Sequence, residues 1–265
     1  MTVYYGEGRC SSCGLVWAVN APGPLKCARC GAEGDFFWVL KNEDEDTAME
    51  PNDIAATLDY AVLKPTDTLL EVRNACQLAR QWKFASVCIR PDYVTYAAEC
   101  LKGSDIKLGT VVGFPLGYTP WFIKAEETDL AFANGATEID MVMNLGRLKA
   151  RQYIRVEDDI ERVARATKSH GALLKVILET CLLTLEEIEI ACKLAHQAGA
   201  DYVKTSTGFS KAGATPLVVQ VMLDTVGNTM GVKASGGIKT RDQAVGYLTQ
   251  GCKRLGVSSI EGILV

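Results

Sequence analysis

Residues 172–208 read ALLKVILETCLLTLEEIEIACKLAHQAGADYVKTSTG. Two short runs, ALLKVILE from Ala172 and DYVKTST from Asp201, flank one amphipathic stretch. The first is rich in Leu, Val and Ile without strict polar alternation, which suits a parallel strand buried on both faces. Between the runs, Thr184 and Glu187 are spaced as a capping box. Ile188, Ala191, Cys192 and Ala195 then recur on one helical face. Gly199 falls where that helix should stop. The segment reads as strand, helix, strand.

The same grammar extends in both directions. Further runs are IAATLDYAVL from Ile54, ASVCI from Ala85, KLGTVVGF from Lys107, EIDMVMN from Glu138, GVKAS from Gly231 and RLGVSS from Arg254. Tyr153, Val156, Ile160 and Val163 keep helical spacing, and Gly135 and Gly171 mark two more helix ends. Eight strands alternating with helices over about 210 residues predict an α/β fold of the (β/α)8 TIM-barrel type. A doubly wound open sheet is the rival, but it normally places a glycine-rich nucleotide turn after its first strand. Here that position reads LKPTDT, so the barrel is preferred.

The chain has 265 residues, of which 48% are hydrophobic and 23% charged, values that exclude a disordered or fibrous chain. No apolar run approaches the roughly 18 residues of a membrane helix. The start, MTVYYGEGRC, lacks a basic-then-apolar signal pattern. Net charge is −4, with no basic excess to suggest a nucleic-acid partner. That charge is unevenly placed. Residues 1–40 carry three basic and three acidic side chains, whereas KNEDEDTAMEP, residues 41–51, carries one basic and five acidic. Residues 41–51 read as a solvated acidic linker between a small module, residues 1–40, and a barrel, residues 52–265.

Cysteines divide the chain in the same way. Cys10-x2-Cys13 and Cys27-x2-Cys30 form two CxxC pairs, with Gly14 and Gly31 following them. Two such knuckles converge four thiolates on one point, a tetrahedral zinc-ribbon or rubredoxin-like arrangement that favours structural zinc or a single iron. A forty-residue module cannot bury enough apolar surface alone, so the metal would supply folding free energy. Trp17, Phe36, Phe37 and Trp38 are its expected small core or docking surface. Stacking of nucleic-acid bases on these aromatics is the weaker reading, because four thiolates around zinc leave negative charge. Cys76, Cys88, Cys100, Cys181, Cys192 and Cys252 are scattered, and most of them read as small buried hydrophobes of a reducing cytoplasm.

Three consecutive expected strands each carry one lysine in an apolar run: Lys175 in LLKVILET, Lys204 in YVKTSTG and Lys233 in VKASGG. The strand before them carries Asp140. Each lysine taken singly could point into the helix layer or be neutralised by a carboxylate. Three on adjacent strands beside one aspartate point instead to amine catalysis. Burial and neighbouring cations make a lysine neutral and nucleophilic, and its imine with a carbonyl withdraws electrons from an adjacent C–C bond. The two histidines, His170 and His196, fall near helix ends, which argues against both an imidazole-rich metal aldolase and a Ser-His-Asp hydrolase. Gly208, the Gly236-Gly237 pair and the Ser258-Ser259 pair follow the last three strands, where barrels hold phosphate with backbone amides.

On these residues the chain resembles the deoxyribose-phosphate aldolase family. The matching stretches are LKPTDT at Leu63, VCIRPDYV at Val87, VVGFPLG at Val111, NGATEIDMVMNLG at Asn134, LLKVILETCLLT at Leu173, GADYVKTSTGFS at Gly199, GVKASGGIKT at Gly231 and GVSS at Gly256. The resemblance implies a class I aldolase that cleaves 2-deoxy-D-ribose 5-phosphate to glyceraldehyde 3-phosphate and acetaldehyde with no catalytic cofactor. It implies Lys204 as the Schiff-base lysine and Lys233 as the cation that lowers its pKa. Asp140 would join the proton relay and Lys175 would complete the charge network. Gly208, Gly236, Gly237, Ser258 and Ser259 match phosphate-binding positions, and Asp59 and Cys88 are grouped with them as substrate-contacting. By analogy such barrels form a homodimer or larger homo-oligomer. The family's first strand usually reads Asp-His-Thr where this chain has Asp59-Tyr60-Ala61, and typical members lack the four-cysteine module.

Overall fold

The computed structural model describes residues 49–265 and two short strands nearer the N-terminus. The chain divides into two units, Met1–Ala48 and Met49–Val265. In the first, β1 (Gly6–Arg9) and β2 (Val16–Val19) pair antiparallel, with Gly6 opposite Val19 and Arg9 opposite Val16. Cys10 and Cys13 fall in the sequence between these strands. All four CxxC cysteines, Phe36, Phe37, Trp38 and the linker up to Ala48 lie outside the described residues.

The second unit runs α1 (Pro51–Ala55), β3 (Leu58–Val62), α2 (Leu69–Trp82), β4 (Ser86–Ile89), α3 (Val94–Leu101), β5 (Lys107–Val112), α4 (Trp121–Ala133) and β6 (Glu138–Val142). It continues with α5 (Leu145–Lys149), α6 (Tyr153–Ser169), β7 (Leu173–Ile177), α7 (Leu185–Gln197), β8 (Tyr202–Lys204), α8 (Pro216–Val226), β9 (Gly231–Ser235), α9 (Arg241–Gln250) and β10 (Arg254–Val257). Strands β3 to β10 pair in parallel in sequence order, and β10 pairs with β3 to close the barrel. No helix among the described residues is long and apolar enough to cross a membrane.

Local chemistry explains the boundaries. Thr184 accepts from the Glu187 N–H while the Glu187 carboxylate accepts from the Thr184 N–H, so the expected capping box opens α7. Thr68 with Glu71 and Thr240 with Gln243 do the same for α2 and α9. Gly135, Gly171 and Gly199 end α4, α6 and α7 with φ of 102°, 65° and 85°. The first expected run needs correction. Ile54 and Ala55 belong to α1, which Pro51 starts at its first turn, and the strand begins only at Leu58. The barrel unit also takes in Met49, whose carbonyl accepts from the Arg241 guanidinium.

Alternation along the strands sorts side chains between two layers. Ile139, Met141, Leu174, Val176, Val203, Val232 and Ala234 are buried outward against the helices in one continuous apolar core. Each such Val, Ile or Leu contributes about 1.5–3 kcal/mol by leaving water. Residues of the opposite phase face the barrel axis, and there the charges collect.

Candidate active site

Strand alternation puts Glu138 and Asp140 on one face of β6, and register carries that face around the sheet. Asp140 lies opposite Lys175, Lys204 opposite Lys233, and Lys233 opposite Arg254. A slip of one residue would turn every one of these groups into the helix layer. Instead Lys175, Lys204 and Lys233 all point inward and are 1%, 4% and 1% exposed. The outward alternative for the lysines is thereby removed.

Asp140 is the hub. One carboxylate oxygen, Oδ2, accepts from Lys204 Nζ at 2.7 Å and from Lys233 Nζ at 2.8 Å. The other, Oδ1, accepts from Lys175 Nζ at 3.0 Å. Deeper in the barrel, Lys175 donates to Glu138 at 2.6 Å, and Arg254 bridges Glu138 and Asp59. Asp59 also faces Lys233 at 2.5 Å. Gly256 makes room for this arrangement. A Cβ there would fall 2.6 Å from Ser235 Cβ and 3.3 Å from Lys233 Cε.

The electrostatics separate the three lysines. Burial pushes all three pKa values down, since it penalises the ammonium. For Lys175 the carboxylates of Asp140, Asp59 and Glu138 overturn that effect and hold it well above the ordinary lysine value. Lys233 is also raised, through Asp140 and Asp59. Lys204 alone is lowered, because burial and the Lys233 charge together outweigh Asp140. Asp140 is held far below the carboxylate range: burial pushes it up, and Lys175, Lys204 and Lys233 more than reverse this.

Lys204 is the last residue of β8 and so stands at the carboxyl rim, where the glycine turns begin. The loops after β8, β9 and β10 are stitched together there. Ala214 N–H donates to Ser235 O at 3.0 Å, and Arg241 N–H to Gly262 O at 2.7 Å. Gly208 and Gly237 have φ of 88° and 81° with open space where a Cβ would stand. Gly236 packs so closely on Gly213 that a Cβ on Gly213 would lie 2.0 Å from its carbonyl oxygen. Ser258 and Ser259 are exposed immediately beyond β10. Buried Ser206 Oγ has no hydrogen-bond partner among the described residues.

Two residues grouped with these loops lie elsewhere. Asp59 is fully buried within the ionic cluster, so its carboxylate faces ammonium and guanidinium groups rather than the glycine turns. Cys88 is buried beside the cluster, and burial pushes its thiol up to about 11, which keeps it protonated near neutrality. Ala61 lies opposite Cys88 on the neighbouring strand, while Tyr60 points the other way and stacks on Phe84 at 5.7 Å. Burial also holds the thiols of Cys76, Cys192 and Cys252 at about 12.

Sequence reasoning missed Glu138, Arg254 and Glu179. Glu138 and Arg254 could have been found from strand periodicity, being two residues before Asp140 and Gly256 respectively. Glu179 has no such signal. A cavity opens at the opposite rim between Lys107, Phe132, Thr137, His170 and Leu173 and reaches Glu138 from below. Lys204 does not line it, and barrel chemistry belongs to the carboxyl rim.

A buried amine of lowered pKa, held among fixed ions at the rim where the glycine turns begin, has the chemistry to form an imine with a carbonyl compound. Known proteins converge on this chemistry. The DeoC/LacD family aldolase model matches residues 39–251, a span that begins after Cys30. The chain is 49% identical over 211 residues to a deoxyribose-phosphate aldolase of Clostridium perfringens, covering 80% of this chain and 94% of that one. It is 52% identical over 202 residues to one from Brevibacillus brevis, covering 76% and 90%. A tetrameric deoxyribose phosphate aldolase from Aeropyrum pernix superposes with a TM-score of 0.76 at 33% identity, over 81% of this chain and 91% of that one. The chain belongs to the DeoC/LacD family of aldolases.

Proposed function

We propose that the barrel reversibly cleaves 2-deoxy-D-ribose 5-phosphate to D-glyceraldehyde 3-phosphate and acetaldehyde through an imine on Lys204. The observation that carries this reading is the pairing of Lys204 and Lys233 on one oxygen of Asp140, with only Lys204 lowered in pKa. Neutral Lys204 attacks the aldehyde carbon to give a carbinolamine, and loss of water leaves the iminium. Removal of the proton from the 3-hydroxyl then breaks the C2–C3 bond, with its electrons passing into the iminium to form an enamine. The phosphorylated aldehyde departs, the enamine carbon is protonated, and water releases acetaldehyde and Lys204. Asp140, joined to all three lysines, is suited to relay these protons through water. Lys175, Glu138, Arg254 and Asp59 hold Asp140 and Lys233 in place. Gly208, Gly236, Gly237, Ser258 and Ser259 are proposed to receive the phosphate.

Borohydride reduction in the presence of acetaldehyde should leave an ethyl group on Lys204 and no other lysine. An unmodified Lys204, or full activity in Lys204→Ala, contradicts the assignment. A second reading, altered acceptor preference, draws on Ala61, which faces the interior opposite Cys88 where the family usually carries threonine. Comparing rates on deoxyribose 5-phosphate, its unphosphorylated form and longer sugars separates the two.

For the N-terminal module we propose structural zinc, with iron as the alternative, held by Cys10, Cys13, Cys27 and Cys30. The donor set, four thiols in two CxxC pairs, fits either ion, and metal content of the purified chain decides between them. We further propose a cytoplasmic homo-oligomer, a dimer or larger, with small phosphorylated sugars and aldehydes as its partners. Exposed Leu116, Tyr118 and Phe122 offer apolar surface for the subunit contact, and light scattering tests it.

A further inference from the structure

The loop after β8 is held from an unexpected side. The Glu179 carboxylate, beyond the end of β7, accepts from the Thr207 hydroxyl and from the Thr207 N–H at 3.3 Å. Thr207 Oγ1 in turn accepts from the Phe209 N–H at 3.0 Å. Glu179 is buried and adopts a left-handed backbone with φ of 49°, a conformation non-glycine residues enter only when their surroundings impose it. Cys181 and Ser210 join the same two loops at 3.3 Å.

This chain of contacts delivers the Phe209 ring edge-on against Phe114, with centroids 5.2 Å apart and planes at 88°. Phe114 comes from the loop after β5. Between β5 and β8 the closed sheet places β6 and β7, the strands of Asp140 and Lys175. The aromatic pair therefore spans a chord of the carboxyl rim above the ionic cluster. The β5 side is anchored as well. Gly113 N–H donates to the Glu127 carboxylate at 2.7 Å, and a Cβ on Gly117 would lie 2.1 Å from Met143 O. Phe209 nevertheless remains 47% exposed, so its outer side faces solvent.

We infer that Phe114 and Phe209 form an aromatic roof that limits the bulk of the aldehyde adding to the enamine, and that Glu179 positions this roof through Thr207. The inference rests on the aldolase reading above and names its acceptor class: short, phosphorylated aldehydes. An acceptor whose phosphate occupies the Gly208, Gly236 and Gly237 turns extends from Lys204 along the β8 loop. Phe209 directly follows Gly208, so a branched or aryl chain on that path meets the ring.

The test is addition of acetaldehyde to two acceptors, D-glyceraldehyde 3-phosphate and 3-phenylpropanal, measured as kcat/KM for each. In Phe209→Ala and in Phe114→Ala the ratio favouring the bulky acceptor should rise at least about tenfold. The double variant should exceed the better single one by less than the product of the two, since both open one contact. Glu179→Ala should move the ratio the same way, mainly through KM of the phosphorylated acceptor, and Glu179→Gln should recover most of the change. Should Glu179→Ala fail to fold, the two phenylalanine variants still decide. Ratios within twofold of wild type in both overturn the roof. Wild-type protein unable to cleave deoxyribose 5-phosphate overturns the aldolase reading, whereas an active wild type with unmoved ratios overturns the roof alone.

Discussion

Replacing Lys233 with methionine tests the electrostatic core of the site. Lys204 and Lys233 reach the same oxygen of Asp140 at 2.7 and 2.8 Å, so their nitrogens lie no farther apart than the sum of those distances, about 5.5 Å. At an effective dielectric of about 20, like unit charges at that separation repel by about 3 kcal/mol. Methionine keeps the length and removes the charge. Lys204 then loses that repulsion and shares Asp140 with one cation fewer, and both changes raise its pKa. The first alone amounts to about two pKa units. Because only the neutral amine attacks a carbonyl, the acid limb of kcat/KM should move up by that amount. Below the wild-type limb the loss should be about a hundredfold. Above both limbs the two rates should converge. Initial rates of glyceraldehyde 3-phosphate release between about pH 6 and pH 10 measure this, with melting curves to show the variant is folded. A uniform loss with an unmoved limb would refute the argument, since it would assign Lys233 a role other than its charge.

Gly256→Ala should drive a methyl into Ser235 and the Lys233 stem, costing about 1–3 kcal/mol by overpacking and lowering both Tm and kcat. Unchanged values for both would show that the interior relaxes freely. Lys124 and Asp159 form a second buried pair at 2.5 Å, outside the barrel axis. Burial lowers the lysine and raises the aspartate, so their attraction does not fully offset desolvation. Asp159→Ala alone should cost about 3–5 kcal/mol in urea unfolding, while the double change Lys124→Met with Asp159→Leu should be neutral or stabilising. A tolerated single variant would contradict this. Asp59 and Asp140 are depressed in the fold, so their stabilisation is present above the unfolded carboxylate value near 4 and drains away as pH falls towards their folded values. Tm should drop steeply from about pH 4 to pH 2, and Asp59→Asn should flatten that drop.

Much of this was legible because barrel strands report their environment directly. A parallel strand buried on both faces is apolar throughout, so Lys175, Lys204, Lys233 and Asp140 stood out as exceptions. The helix starts were equally plain, since a capping box is a local device that Thr184 and Glu187 complete without tertiary help. Less legible were contacts that need the closed barrel. Arg254 meets Glu138 across 116 positions of sequence, and Asp59 across 195. No spacing rule links them. Asp59 was accordingly grouped with the substrate contacts although it belongs to the ion cluster. The start of β3 was misjudged for a different reason, because Ile54 and Ala55 are apolar in either state and only Pro51 signals the helix. Glu179 was hidden because its role depends on a left-handed backbone that sequence does not announce.

The interior charges also explain why Lys204, among three buried lysines, is the one whose pKa is lowered. Asp59, Glu138 and Asp140 supply three negative groups, and Lys175, Lys204, Lys233 and Arg254 supply four positive ones. A closed, low-dielectric space strongly disfavours an uncompensated charge. One cation must therefore give up its proton most readily. Arg254 is excluded by the intrinsic basicity of guanidinium. Lys175 touches three carboxylates and Lys233 two, whereas Lys204 touches Asp140 alone and must share it. Lys204 also ends its strand at the carboxyl rim, whereas Glu138 and Arg254 lie deeper in the barrel. Loss of the Lys204 proton leaves three charges of each sign, so neutralising Lys204 balances the barrel. By the same count, Glu138→Gln should lower the Lys204 pKa further: it removes a carboxylate that Lys204 does not touch, and Lys175 then draws more heavily on Asp140. An unmoved acid limb would show that the ions act on Lys204 pair by pair, not as a balanced set.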